Sequence, residues 1–226
     1  MTNGIWLKKD VQITNPQELW NPQRNVRLVY TDLTGNSSLR NVANTCAFQG
    51  FKLGLYHRLR YPPEEGSADS QAQEFAVAES ALMNNPDYEY VKWLPPVLLL
   101  EKGTKPLCET NYYRGMIMTF INKYHSYNGM SANFLVKMTD EMIFWLNPTQ
   151  QIVDTFKLFY HEPTKIMAYS PWKKYEYRSY LARSMEGTMA EPLDDIQLPL
   201  TVPVTPPVVK LSPEQQIAAI RKILDS

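Results

Sequence analysis

Between Lys165 and Arg183 the chain interleaves cations with rings: Lys165, Tyr169, Trp172, Lys173, Lys174, Tyr175, Tyr177, Arg178, Tyr180 and Arg183, with Glu176 as the only acid among them. Rings that stack on bases, set beside cations that neutralise phosphates, are the mixture that holds single-stranded nucleic acid. Trp172, Lys173, Lys174, Tyr175, Arg178 and Arg183 are therefore the candidate nucleic-acid contacts, with Lys52, His57, Arg58 and Arg60 able to complete a groove. The competing reading is an amphipathic helix whose tyrosines pack while its lysine stems lie along the surface. No RNA-recognition or helix-turn-helix signature accompanies the stretch.

A second chemistry-bearing feature is the C-terminus. Ser212 caps a short helix with Pro213 at its first position and Gln215 at the capping-box position, and Ile217, Ile220, Ile223 and Leu224 give it an apolar stripe. A helix of about 14 residues is barely stable alone in water, so it must dock on something. Partner docking through Ile217, Ile220, Ile223 and Leu224 stands against folding back on its own domain. The acid-rich stretch 62–91, free of Lys and Arg, reads as a solvated face or as the complement of those basic segments.

Enzymatic signals are poor. Cys46 lies on an apolar stripe and reads as a buried structural thiol. His57, His125 and His161 are scattered, with no HExxH, no ExxH pair and no Cys/His cluster, so neither a metal nor a cofactor is expected. There is no P-loop and no GxGxxG. Asp140-Glu141 and Asp194-Asp195 are adjacent carboxylates that do not face each other on a helix.

The elements that must position these groups read as mainly α, with α+β as the alternative. Tyr113, Met116, Ile117, Phe120, Ile121 and Tyr124 recur at steps of three and four after Thr110, and Asn128-Gly129 stops them. Phe134, Leu135, Met138, Met142, Trp145 and Leu146 form a second helical face, with two strands turning at 139–141 as the alternative. Asn147-Pro148 caps a third segment through Ile152, Phe156, Phe159 and Tyr160. Ala43, Ala47, Gly50 and Gly54 fit a close-packing stripe on a long helix ending before Pro62, with a strand from Phe51 as the equal alternative. Residues 1–35 are extended, 36–186 form the mainly helical core domain, 187–211 are a proline-rich tether and 212–226 the docking helix. The tether admits neither a helix nor a central strand.

The 44% hydrophobic and 20% charged fractions describe a globular protein, and 23 basic residues cancel 23 acidic ones. No signal peptide or apolar span of about 18 residues is evident, which leads to a cytoplasmic or virion component without membrane contact. From the residues alone, the chain is a non-enzymatic structural or adaptor subunit of a larger assembly, same-chain or mixed. The alternative is a nucleic-acid-binding subunit using 165–183.

Overall fold

The structure, a computed structural model, describes residues 3–7, 26–33, 39–60, 66–100, 109–128, 134–161, 171–172, 177–179 and 190–194. The first decision in it is made by Gly50. Helix α1 (Leu39–Gln49) ends there because Gly50 takes φ +68°, the left-handed conformation that glycine adopts without a Cβ clash. Phe51 N–H closes back on the Cys46 carbonyl at 2.9 Å, and strand β3 (Lys52–Arg58) begins at once. The small-residue stripe through Gly50 and Gly54 is thus not helical, and its two glycines serve different purposes.

β3 is one stave of a barrel. Strands β1 (Asn3–Leu7) and β2 (Val26–Asp32) precede it, and β4 (Lys92–Trp93), β5 (Val97–Leu99), β6 (Leu135–Met138), β7 (Lys157–His161), β8 (Tyr177–Ser179) and β9 (Ala190–Asp194) follow. The order β2-β1-β9-β8-β7-β6-β5-β3 is closed by a further β2–β3 pairing, so eight strands form a complete ring, with β4 added beside the start of β3. From β1 through β8 the ring is parallel, and β9 is antiparallel to both neighbours. Closure leaves no edge for a second chain to pair with along these strands.

Helices α2 (Ala68–Met83), α3 (Thr110–Asn128), α4 (Asp140–Leu146) and α5 (Gln150–Thr155) cover the outside. The largest core lies between sheet and helices and joins Leu55, Leu98, Val136, Met138, Leu158 and Tyr160 of the strands to Phe75, Ile117, Phe120 and Ile121 of α2 and α3. A separate core fills the barrel: Trp6, Leu28, Tyr30, Tyr56, Val97, Leu135 and Phe159 alternate with those outward residues along each strand.

The mainly α expectation is overturned, and the fold class is α/β. The helical face predicted over 134–146 is in fact a strand followed by a helix. Leu135–Met138 is buried on both faces, Lys137 included, so the strand shows no apolar/polar alternation that would betray it. Thr139 then caps α4, its side chain accepting from Met142 N–H at 3.2 Å. Asn147, with φ 42°, is the left-handed C-cap of α4 and not the start of α5, which Thr149 caps. The third segment ends as a helix at Thr155, and Phe159 and Tyr160 belong to β7. α3 agrees with its sequence pattern, and its buried residues are the six named from periodicity together with Thr110. Helix α2 is capped by Ser67, whose side chain accepts from Ser70 N–H at 3.1 Å. The exclusion of a central strand from the proline-rich stretch also fails. Pro192 lies in β9, paired with β1 on one side while β8 pairs on the other.

Candidate active site

In a parallel barrel the C-terminal ends of the strands open onto one rim, where the following loops gather residues remote in sequence. The lumen below this rim is filled. Trp6 stacks on Tyr56 at 4.1 Å between ring centroids and on Tyr30 at 5.5 Å, and Phe159 meets it edge-on at 5.3 Å. Tyr30 Oη–H donates to the Pro95 carbonyl at 3.0 Å and Tyr56 Oη–H to the Leu7 carbonyl at 2.8 Å, so both phenols are anchored to backbone. Lys137, one residue from the end of β6, sends its ammonium into this group. Its Nζ lies 3.6 Å from the Trp6 ring centroid and 5.4 Å from that of Phe159. Only 2% of Lys137 is exposed, so the ring faces replace water around the cation.

Above the aromatic layer sits Asp32. It is the last residue of β2, on the same side as Leu28 and Tyr30 by alternation, and it is 2% exposed. Among strand residues whose side chains are described, Asp32 is the one carboxylate on the lumen side. Two further acids stand at the same end. Glu109 precedes α3 and has a buried Oε2 with no hydrogen-bond partner. Asp140 opens α4 and accepts from Tyr160 Oη–H at 3.0 Å. Tyr160 faces the helical layer, so Asp140 is held outside the lumen.

The rim is tied down from behind by Gln71 in α2. Its Nε2 donates to the carbonyls of Arg60 (3.0 Å) and Gly66 (3.2 Å), which leaves Oε1 as the acceptor for Arg60 N–H at 3.0 Å and for His57 Nε2 at 3.1 Å. This network assigns the proton of His57 to Nε2. The His57 ring is fully buried and stacks on Phe120 at 5.3 Å, which makes it a packing and anchoring residue rather than a groove residue. Tyr113 Oη–H adds a bond to the Leu59 carbonyl at 3.4 Å. A Gln71→Leu substitution strips partners from four groups at once and is expected to cost about 2–3 kcal/mol, given about 1–3 kcal/mol per buried unsatisfied group and partial access to water. Hydrogen exchange at the Arg60 amide should rise in parallel with the loss of denaturant resistance.

Of the residues proposed for nucleic acid, Trp172 is buried, and its indole N–H donates to the Phe156 carbonyl at 2.9 Å. Its ring belongs to the core. Arg178 lies in β8 opposite Tyr160. Lys173, Lys174, Tyr175 and Arg183 lie outside the described residues, as do Ile217, Ile220, Ile223 and Leu224. Of these candidates, Trp172 and Arg178 alone fall among the described residues. Cys46 is buried, and burial pushes its thiol up to about 12, which makes it a poor nucleophile. Among the described residues no group of three or more metal-ligating side chains occurs. Asp32, Glu109 and Lys137 were missed by sequence reasoning. The one available signal was the alternation Leu28-Tyr30-Asp32, an apolar strand ending in a carboxylate.

These features define a closed α/β barrel with a carboxylate at the C-terminal rim. No protein-family model matches the sequence, and no curated protein matches it. Solved structures do match. A muramidase from Acremonium alcalophilum is 15% identical, with 87% of this chain and 94% of that one covered at a TM-score of 0.65. The spore cortex lytic enzyme SleM of Clostridium perfringens is 17% identical, with 89% and 68% covered at 0.66. A family 25 glycosyl hydrolase from Bacillus anthracis is 13% identical, with 85% and 88% covered at 0.58. At these identities the likeness establishes the barrel fold.

The neighbours are named as muramidases, a lytic enzyme and a glycosyl hydrolase, and they overturn the expectation of a non-enzymatic, helical structural or adaptor subunit. The reason that expectation went astray is physical. A barrel assembles its rim from strand ends tens of residues apart, so no local motif announces it.

Proposed function

We propose that this chain is a glycoside hydrolase that cuts a cell-wall glycan at the C-terminal rim of its barrel. The observation that carries the reading is the position of Asp32, a buried carboxylate on the lumen side of a barrel that superimposes on muramidases. Glycosidic bonds are commonly hydrolysed by two carboxyl groups, one protonating the leaving oxygen and the other acting as nucleophile or activating water. Asp32 takes one of these roles. Glu109, at the same end and with a buried unpartnered oxygen, takes the other.

The test is incubation of the full chain with purified peptidoglycan, following both turbidity and the appearance of new reducing ends. Reducing ends should accumulate with the parent chain, and Asp32→Asn should slow their release on the order of 10³-fold, the usual scale for removing a proton-transferring group. Glu109→Gln should give a comparable loss. A parent chain that releases no reducing ends from peptidoglycans of different cross-link types, or an Asp32→Asn chain as active as the parent, would remove the assignment.

A further inference from the structure

Helices α2 and α3 pack against each other through an apolar seam in which Phe75 faces Phe120 and Tyr124. One carboxyl group interrupts it. Glu79 of α2 is 2% exposed, and its Oε2 accepts from Tyr124 Oη–H and from Asn128 Nδ2 at 3.0 Å. Its Oε1 is buried with no hydrogen-bond partner. The remaining ionisable groups along the seam, among the described residues, do not compensate it. Lys123 lies 3.2 Å from Asp69, His57 of β3 is held by Gln71, and His125 has a buried Nε2 without a hydrogen-bond partner. With no cation beside it among the described residues, the buried carboxylate carries a large desolvation cost that two neutral donors offset only in part. The neutral acid carries far less.

We propose that Glu79 makes the α2–α3 seam a pH-sensitive latch, closed while its carboxyl is protonated and loosened when it ionises. The two donors to Oε2 favour the ion, and burial opposes it more strongly, which pushes Glu79 up to about 7 from 4.5. Burial first, and the Glu79 carboxylate second, push the Tyr124 phenol up as well, so the phenol stays a donor throughout. In the unfolded chain Glu79 ionises in the ordinary range. The folded state therefore binds the extra proton between about pH 4.5 and 7. Its stabilising contribution is complete below that window and is lost as pH rises through it. The latch is independent of the hydrolytic reading, since Glu79 lies in the helical layer and not at the rim.

The test is the pH profile of equilibrium unfolding for the full chain beside Glu79→Gln, which mimics the neutral acid. The two profiles should coincide below about pH 4.5. At pH 8 the unfolding constant of Glu79→Gln should be lower than the parent's on the order of a hundredfold. Amide exchange in α2 and α3 of the parent should speed up over the same window. Parallel profiles for the two chains overturn the proposal. Tyr124→Phe supplies a second reading should Glu79→Gln fail to fold. Removing a donor from Oε2 makes the ion costlier, so the loss of stability should extend to higher pH, and an unchanged profile overturns the latch. A direct titration of the parent's Glu79 carboxyl carbon by NMR should show a midpoint well above the ordinary glutamate range, and an ordinary midpoint overturns it equally.

Discussion

A Gly54→Ala chain is expected to lose about 3 kcal/mol of stability or more, at the upper end of what overpacking a core by one methyl costs. Gly54 stands opposite Tyr30 in the parallel β2–β3 register, on the lumen side of the barrel. A Cβ added there would lie 2.1 Å from Tyr30 Cε1, 2.4 Å from Cδ1 and 2.6 Å from Cζ. The ring cannot retreat cheaply. Trp6 stacks on it, Phe159 stands 5.6 Å away at 68°, and its hydroxyl is tethered to the Pro95 carbonyl. Alanine is otherwise the better strand residue, so any loss is steric and not conformational. Denaturant midpoints of Gly54→Ala, Tyr30→Leu and the pair would measure it, with Tyr30→Leu expected to restore part of the stability lost through Gly54→Ala. A Gly54→Ala chain within about 0.5 kcal/mol of the parent would show that the lumen is not packed as described.

The largest expected loss belongs to Trp6→Ala. The indole is 1% exposed and touches both anchored tyrosines and Phe159. Removing it opens a cavity worth about 3–5 kcal/mol. It also takes away the ring over which the Lys137 ammonium sits at 3.6 Å, and a desolvated cation–π contact adds about 2 kcal/mol. A typical domain holds about 5–15 kcal/mol in reserve, so this variant should be largely unfolded at 37 °C. The cation's share can be isolated. In the Trp6→Ala background, Lys137→Met removes a buried charge that has lost its ring and should raise the thermal midpoint. In the parent background the same substitution should lower it or leave it nearly unchanged. Equal effects of Lys137→Met in both backgrounds would mean that Trp6 and Lys137 are not coupled.

How much of this was legible in the sequence differs from element to element. α3 was readable almost residue by residue, because a helix pressed against a sheet on one side shows its period in Tyr113, Met116, Ile117, Phe120, Ile121 and Tyr124. β6 was not, since helices cover one face and the filled lumen the other, and all of Leu135, Val136, Lys137 and Met138 are buried. Lys137 even reads as a surface residue, yet it is buried with its ammonium over the Trp6 ring. β9 was argued away on its proline, though a closed ring needed a stave at that place.

Local chemistry, then, was determined by the sequence itself: where Gly50 turns the chain, where Thr139 and Thr149 cap helices, and which face of α3 is apolar. These depend on residues within a few positions of one another. Tertiary structure alone decided that the strands close into a barrel, that Asp32 ends up at its rim, and that Glu79 is buried against Tyr124. Ring closure joins β1 to β9 across almost the whole described chain, and Glu79 meets Tyr124 across 45 residues. Pairings at such separations depend on the packing of every element between them, and no short window of sequence carries that information.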